Sequence, residues 1–397
     1  MEVYPKSRIP QHTVLSSATF RAEHSNEYWP SILDVGAVKF VTSGRVGIAL
    51  ALKHMGVGRN DKILVPAYHC SSMVEPVLWA GATPVFYRVH ENAAIDVDDV
   101  RAKVDRATKA LMVTHYFGFH QDMPGIRSLC DEAGIALIED CAHAFFGRVA
   151  DRPPGWYGDY AIASSMKFFP VIDGGCLVSS RRRLDEIRTL PAGLGFELKA
   201  AINTLEQALH YGRLAWLGVL VKLPIRIKDA LWGALKALGP KGVAANLAPA
   251  ASSGGRQFDA MWVDKRMSVA SRLILGWASK ARIVSRRREH YRRMLGALRD
   301  LPGGRPLFPE LPAGVVPYVF PVLVDDPDRV FPALKRQGVP MLRWEELAEG
   351  VDGSVCPVSA RFSRCLLQFP IHEELSAEEL EWMIAQIRSV LSPWCYH

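Results

Sequence analysis

Between residues 37 and 180, short runs rich in β-branched and aromatic residues alternate with stretches of helical periodicity. The runs read AVKFVTS, KILVPAY, TPVFYRV, KALMVTHYF, IALIED, DYAIASS and GGCLVSS. This alternation is typical of an α/β protein whose mainly parallel sheet is covered by helices. One helix is predicted over residues 44–55, where the apolar positions stop at the glycine-rich GVGRND. Ligands of such sheets bind at the carboxyl ends of the strands, so we expect the chemistry just after each run.

The pattern changes after residue 180. Residues 181–257 read as long helical segments followed by the loop-like APAASSGGRQ, and we interpret them as a helical insertion in a large domain. A helical region (267–301), the strand-like PYVFPVLV, the helix DRVFPALKRQG and a terminal helix from near Ser376 follow. They predict a smaller α+β domain. We therefore expect a large domain over residues 1–257 and a small one over residues 258–397.

Composition narrows the class of protein. A chain of 397 residues with 49% hydrophobic content is too apolar to be disordered. It contains no signal-peptide core and no run of the roughly 18 apolar residues that a membrane span needs. A cytoplasmic protein is therefore expected. Seven scattered cysteines without a CxxC pair predict reduced, mostly buried thiols, and neither a disulfide framework nor a zinc or other metal site.

The net charge of +7 is modest for this length. Arginines cluster at residues 181–183 and 286–288, in segments that also carry acids and show helical periodicity. We interpret both clusters as solvated helix faces, and we expect no nucleic-acid partner.

One apolar strand ends in two acids. The segment IALIEDCAHA places Asp140 at the carboxyl end of a predicted strand, three residues before His143. A carboxylate there is placed to meet a ligand. Taken alone, Asp140 is better explained as the N-cap of a following helix. The ligand-binding interpretation depends on two further pieces of sequence.

The second piece, GDYAIASSMKFFPVIDGG, places Lys167 after a predicted strand and before Gly174 and Gly175, which allow a tight backbone turn. Lone lysines usually face solvent, but this one is flanked by Met166 and by the apolar run FFP. An amine in apolar surroundings has a lowered pKa, which is the property that a Schiff-base lysine needs.

The third piece, TSGRVGIALAL, places Ser43, Gly44 and Arg45 between a strand and the first turn of a helix. Free backbone amides at a helix N-terminus bind phosphate. This piece carries little weight alone, because the full glycine signatures of the P-loop and of the dinucleotide-binding turn are absent.

In this order the three pieces resemble the DegT/DnrJ/StrS family of sugar aminotransferases, which are pyridoxal-phosphate enzymes of fold type I. The resemblance extends over most of the chain, through VPAYHCSSMVEPVLWAGATPVF, VTHYFGFHQDM, DKRMS at residues 264–268 and LLQFPIHEELSAEEL. Each motif is loose, but the ordered set is specific. The fold that it implies is a mainly parallel sheet covered by helices, with a smaller α+β C-terminal domain.

The resemblance implies a role for each residue of the first two pieces. Lys167 would hold pyridoxal 5'-phosphate covalently and move the proton during transamination. Asp140 would pair with the cofactor's ring nitrogen and keep it protonated, which makes the ring an electron sink. His143 would contact the ring hydroxyl.

The phosphate would be held by Gly44 and Arg45 at the helix start. The hydroxyl of Ser164 or that of Ser165 would add a contact. The choice between them depends on where a gap falls, because the lysine loop is about two residues shorter than in common members of the family.

Two departures from the family pattern affect the cofactor site. Where relatives carry a phenylalanine or tryptophan after PAY, this chain has His69 and then Cys70. Either His69 or Tyr68 would stack on the ring, or both are structural.

The other departure is in the DKRMS segment, where relatives place an asparagine that reaches the phosphate across a homodimer interface. This chain has Asp264, whose charge would repel phosphate unless Lys265 or Arg266 replaces it. We expect a homodimer in which Arg266 makes this contact.

The function that the resemblance implies is transfer of an amino group, from glutamate, to a nucleotide-linked keto-sugar in polysaccharide or secondary-metabolite biosynthesis. Two alternatives remain open. Sugar dehydratases of the same fold replace the cofactor lysine with histidine, so the presence of Lys167 favours transamination. A non-catalytic scaffold is disfavoured by the presence of Lys167 and Asp140 together.

Residues 211–242 form a basic segment rich in leucine and tryptophan, with Trp216 and Trp232 among its apolar positions. Basic charge beside an apolar face is what an interfacial helix requires, so we consider a peripheral contact with the inner face of the membrane. The alternative is that the apolar stripe packs on the large domain or at a dimer interface.

Overall fold

The computed structural model describes residues 4–23, 27–217 and 258–392. All seven predicted β-rich runs form strands of one sheet, in the order β1-β7-β6-β5-β4-β2-β3. Their bounds are β1 Ala37–Val41, β2 Lys62–Pro66, β3 Thr83–Tyr87, β4 Thr108–Thr114, β5 Ala136–Asp140, β6 Tyr160–Ser164 and β7 Gly175–Ser179. Strands β3, β2, β4, β5 and β6 are parallel, and β7 is antiparallel to β6 and β1. The predicted mainly parallel sheet is confirmed.

Helices cover both faces of this sheet, because successive strand residues point to opposite sides. On β2, Ile63 and Val65 pack in one core cluster with helix α1, while Leu64 packs in another with helix α4. The helices are α1 Gly44–His54, α2 Ser71–Trp79, α3 Val97–Lys103, α4 Met123–Ala133 and α5 Leu194–His210. Helix α1 matches its prediction to within one residue.

The rest of the described chain carries a smaller antiparallel sheet in the order β10-β9-β8. Its strands are β8 Gly304–Pro306, β9 Val319–Val324 and β10 Leu366–Pro370. The helices around it are α6 Val269–Trp277, α7 Lys280–Leu298, α8 Pro327–Arg336, α9 Pro357–Cys365 and α10 Ala377–Leu391. The predicted strand, the α8 helix and the terminal helix are all present, and Ser376 caps α10 in a reciprocal capping box with Glu379.

The interpretation of the two arginine clusters as solvated helix faces is wrong in two respects. Residues 181–183 are exposed but lie in a turn after β7, where Arg182 pairs with Asp159 at 2.9 Å. Residues 286–288 do lie on a helix, α7, but Arg287 and Arg288 are buried there. Tertiary packing against the N-terminal segment and the small sheet places these two side chains inside.

Six of the seven cysteines lie in the described residues; none forms a disulfide, and four are buried. None of the described helices is long and apolar enough to cross a bilayer. Of the segment 211–242, residues 218–242 lie outside the described residues. Within its described part, Leu214 is buried beside Leu15 and Ala208, whereas Trp216 is 70% exposed.

Candidate functional site

A cavity opens where β4, β5 and β6 end and α1 begins, as expected for a parallel sheet. It brings together residues that are far apart in sequence. Its lining is formed by Ser43, Gly44, Arg45, Ile48, Cys70, Ser72, Met73, Thr114, Asp140, Ala142, His143, Ile162, Ser164, Met166, Lys167 and Trp344. Six of the predicted site residues are therefore in one place: Lys167, Asp140, His143, Gly44, Arg45 and Ser164.

Lys167 ends a short 3-10 turn, Ser165–Lys167, that follows β6. The next two residues, Phe168 and Phe169, are fully buried in the core, so they fix the turn and leave the lysine side chain in the cavity. Its Nζ atom lies 5.6 Å from the centre of the Tyr318 ring. Burial lowers the pKa of Lys167, against the opposing influence of Cys70 and Asp140. The lowered pKa increases the neutral, nucleophilic fraction of the amine.

Asp140 is the last residue of β5 and is 5% exposed. Its Oδ1 accepts a hydrogen bond from the Ala142 N–H at 2.9 Å. No helix begins at this position, so the alternative of a helix N-cap is wrong and the bond closes a local turn. Among the described residues, none donates a hydrogen bond to Oδ2. Burial raises the pKa of Asp140, and the neighbouring Lys167 opposes that shift.

His143 is held as a neutral imidazole. Its Nδ1 accepts a hydrogen bond from the Phe117 N–H at 3.2 Å, so in the neutral ring Nε2 carries the proton. The ring stacks on Tyr318 with 4.7 Å between centroids and on Phe117 with 5.6 Å. Burial, followed by the charge of Lys167, lowers the pKa of His143 well below its ordinary value. His143 therefore offers a fixed N–H donor at neutral pH.

The start of α1 forms another wall of the cavity. Ser43 caps the helix by accepting from the Val46 N–H at 3.4 Å. Gly175 of β7 lies so close to this helix start that a Cβ there would be 2.6 Å from the Gly44 nitrogen, and Gly174 has a φ of +126°. The paired glycines thus bring the strand after the lysine loop against the helix terminus, where amides attract an anion.

The remaining predicted phosphate contacts differ in accessibility. Ser164 lines the cavity, whereas Ser165 does not line it and its buried hydroxyl has no hydrogen-bond partner among the described residues. The Arg45 guanidinium donates to Ser72 at 2.8 Å and to Glu75 at 3.2 Å. The structure therefore favours Ser164 over Ser165.

The expectation that His69 or Tyr68 stacks on a ring in this cavity is not met, because neither residue lines it. His69 is fully buried; its Nδ1 lies 3.0 Å from the carbonyl oxygens of Pro66 and Ala67, and its Nε2 accepts from the Ala348 N–H at 2.9 Å. Tyr68 is also fully buried, in an aromatic cluster. Cys70 is the residue after PAY that reaches the cavity.

The DKRMS segment lies outside the cavity of its own chain. Arg266 pairs through its backbone with Leu190, and Lys265 forms a 3.1 Å ion pair with Asp264. The Lys265 charge therefore offsets that of Asp264 locally. Arg266 does not line the cavity of its own chain, so its predicted contact would require a partner subunit.

Among the cavity residues that sequence reasoning missed are Cys70, Thr114 and Trp344. Thr114 ends β4, so the strand-end rule could have identified it. No local signal identifies Trp344, which comes from the segment between α8 and α9 of the smaller part of the molecule.

Among the described residues, one group has the side-chain types and spacing of a metal site: His115, Glu139 and Cys141, all buried. The His115 Nε2 and Glu139 Oε2 atoms are 3.0 Å apart. Glu139 also accepts from the backbone N–H groups of Gly155 and Gly158, and His115 Nδ1 accepts from Gln121. Because the ring nitrogens of His115 and the carboxylate of Glu139 already have protein partners, we interpret the group as a structural network.

Comparison with known proteins adds to this geometry. Residues 32–214 match the model of the DegT/DnrJ/EryC1/StrS aminotransferase family. A GDP-perosamine synthase of Vibrio cholerae is 35% identical over 143 residues, which are 35% of this chain and 39% of that protein. The chain thus spans about two fifths of the length of the curated relatives it matches.

Solved structures resemble the whole fold. The complex of S. venezuelae DesV with a ketimine intermediate aligns with a TM-score of 0.60 at 22% identity, over 89% of this chain and 84% of that one. The PLP-form of Spr1654 from Streptococcus pneumoniae aligns with a TM-score of 0.63 at 15% identity, over 92% and 93%. These likenesses confirm the predicted fold type I architecture.

Proposed function

We propose that this protein is a pyridoxal-phosphate-dependent aminotransferase, because residues 32–214 match the model of the DegT/DnrJ/EryC1/StrS aminotransferase family. Its substrates would be glutamate as amino donor and a nucleotide-linked keto-sugar as acceptor. The observation that carries the proposal is the placement of Lys167 and Asp140 in one cavity with the N-terminus of α1. The name of the Vibrio cholerae relative supports a nucleotide-linked acceptor.

The residues present fit this cofactor. A phosphate needs amide and hydroxyl donors, which the start of α1 and Ser164 supply. A protonated pyridine nitrogen needs an acceptor, and Asp140 Oδ2 accepts no hydrogen bond from the described protein. A ring hydroxyl needs a polar partner, and His143 Nε2 carries a proton.

When bound, pyridoxal phosphate supplies a ring that withdraws electrons from the carbon that loses a proton. The chain supplies the rest. Lys167 would hold the cofactor through its amine and would move a proton to and from the substrate. Asp140 would keep the ring nitrogen protonated, and the turn that Asp140 closes with Ala142 holds the carboxylate in place. His143 would orient the ring through its Nε2–H group.

The test is spectroscopic and chemical. The purified protein should show a visible cofactor band that borohydride removes, and mass spectrometry should then find the reduced adduct on Lys167. Lys167→Ala should lose the band. Its activity should also fall by about 10²–10⁴-fold or more, because general acid–base catalysis alone contributes that factor. Lys335→Ala is a matched control, because burial also lowers the pKa of Lys335 but it lies outside the cavity.

Activity would be measured with glutamate and a panel of nucleotide keto-sugars, with mass spectrometry of the amino-sugar product. A wild-type protein without a borohydride-sensitive band would contradict the proposal and favour a scaffold protein. A band without amino-sugar product, but with dehydrated sugar, would favour a dehydratase.

We also propose a homodimer in which Arg266 serves the partner's phosphate. An apolar surface on α5, α6 and the adjoining segments supports it, with Leu194 89%, Leu198 63%, Val269 53% and Trp277 70% exposed. Exposed apolar area of this kind is characteristic of an interface. Mixing Arg266→Ala and Lys167→Ala proteins would test it: subunit exchange should restore activity at a site that combines an intact Lys167 with the partner's Arg266.

The two-domain division at residues 257 and 258 and the cytoplasmic location remain proposals. Two separate sheets support the domain division, and the described thiols, which form no disulfide, fit a reducing compartment.

The peripheral membrane contact through residues 211–242 is also proposed, and in the described part it is supported by the exposed Trp216. Co-sedimentation with anionic liposomes, wild type against Trp216→Ser, would test it; wild type in the supernatant at low salt would contradict it.

A further inference from the structure

Residues 68–70 bring no aromatic ring to the cavity. Tyr68 and His69 are fully buried elsewhere, and Cys70, which lines the cavity near Lys167, has only a thiol to offer. A flat heteroaromatic ring in this cavity would therefore find no stacking partner among residues 68–70. Of the described lining residues, Trp344 has the largest aromatic surface.

Trp344 is held in place by an aromatic cluster. Its ring centroid lies 5.1 Å from that of Tyr68 and 5.3 Å from that of His143, with interplanar angles of 36° and 41°. The same His143 ring lines the cavity with Lys167 and Asp140. The indole is partly buried and also lines the cavity, so one part of its surface packs in the cluster and another part faces the cavity.

The segment around Trp344 is anchored on both sides. Leu342 exchanges two 2.9 Å backbone hydrogen bonds with Gln368 of β10. Four residues after the tryptophan, the Ala348 N–H donates to His69 Nε2. His69 thus ties this segment to the large sheet. The indole is therefore preorganised, as a residue that contacts a ligand needs to be.

We propose that Trp344 is the aromatic residue that contacts the cofactor ring, in the role that neither Tyr68 nor His69 fills. This inference rests on the proposed function, since it concerns the same cofactor. Trp344 acts by direct contact: it increases cofactor affinity and fixes the ring's tilt relative to Lys167. A single aromatic contact accounts for about a two- to tenfold change in affinity.

The first experiment is site-resolved oxidation of tryptophans in the full-length protein, read by mass spectrometry. Saturating pyridoxal phosphate should reduce oxidation of Trp344 several-fold, whereas Trp382, which is 39% exposed on α10, should be unaffected. Inorganic phosphate, which occupies the helix start but has no ring, should leave Trp344 unprotected. Equal oxidation of Trp344 with and without pyridoxal phosphate would overturn the proposal.

The second experiment titrates cofactor-free protein with pyridoxal phosphate. Trp344→Ala should bind about two- to tenfold more weakly and Trp344→Phe within about twofold of wild type. Trp382→Phe is the matched control and should bind like wild type. Equal affinity of Trp344→Ala and wild type would reject the inference but leave the proposed function intact, whereas a wild type that binds no cofactor would reject both. Should Trp344→Ala not fold, the oxidation result decides.

Discussion

The Ser268 hydroxyl donates a 2.7 Å hydrogen bond to Asp173, and the two residues are 95 positions apart. Asp173 also accepts from the Ser268 N–H at 2.8 Å and from the Ser271 hydroxyl at 2.5 Å. Asp173 lies in the loop between Lys167 and β7, and Ser268 ends the DKRMS segment. One buried carboxylate therefore ties the proposed dimer segment to the lysine loop of the same chain.

Asp173→Asn should destabilise the protein by about 1–3 kcal/mol. The asparagine NH₂ group would replace one carboxylate oxygen, so at least one of the serine donors would lose its acceptor. The free energy of unfolding, from denaturant titration, measures this. Asp264→Asn is a suitable control, because Asp264 is partly exposed and its ion pair with Lys265 is worth little. An unchanged free energy of unfolding in Asp173→Asn would mean that the two serine hydroxyls turn to solvent and bond to water instead.

Asp140→Asn should leave the fold intact and lower the turnover number. The amide oxygen can still accept from the Ala142 N–H, but a neutral amide cannot hold a proton on the ring nitrogen. We expect the turnover number to fall by about 10²-fold or more, because removing one group that stabilises charge in the reaction costs at least that factor. Circular dichroism should be unchanged and cofactor can still bind. An unchanged rate would assign Asp140 to the turn alone.

Arg287→Met should be strongly destabilising, by about 3–5 kcal/mol, because it leaves a buried carboxylate without its partner. The Arg287 side chain is fully buried; it pairs with Glu373 at 3.0 Å and donates to the carbonyl oxygen of Lys167 at 3.0 Å. The variant should therefore also retain less of the borohydride-reducible band.

Its neighbour Arg286 provides the matched control, since it is exposed and pairs only with Glu289 at 3.0 Å on the same helix. Arg286→Met should change the free energy of unfolding by less than about 0.5 kcal/mol. Equal effects of the two substitutions would contradict the assignment of Arg287 as a buried link.

The protein should lose stability as the pH falls below 6.5. Burial lowers the pKa of His69 to about 4 and that of His372 well below the ordinary value. Between pH 6.5 and about 4, these histidines are protonated in the unfolded chain but neutral in the folded chain. The free energy of unfolding therefore rises with pH in this window. Each such histidine contributes about 1.4 kcal/mol per pH unit.

His372→Gln tests this dependence, because a glutamine amide can still donate to the Pro10 carbonyl, which His372 Nε2 contacts at 2.9 Å. Denaturant midpoints at pH 7.5, 6.5 and 5.5 should show a shallower loss in the variant than in wild type. The same slope in both proteins would mean that His372 keeps an ordinary pKa.

Much of the fold could be predicted because its signals are local. The β-rich runs alternate with helices, and parallel strands place their carboxyl ends at one edge, so Asp140 and Lys167 could be brought together from sequence alone. The start of α1 followed from the same rule. The family resemblance contributed the roles of these residues, which the pattern alone did not determine.

Only the tertiary structure decided which side chains face the cavity. His69 turns away because its imidazole is bonded to its own strand end and to Ala348, 279 positions later. Arg287 lies on a charged helix but is buried because the N-terminal segment and Glu373 supply partners for it. Trp344 reaches the cavity from a separate sheet region. Sequence periodicity encodes contacts within one element, whereas these contacts join distant parts of the chain, and so they depend on how the elements pack.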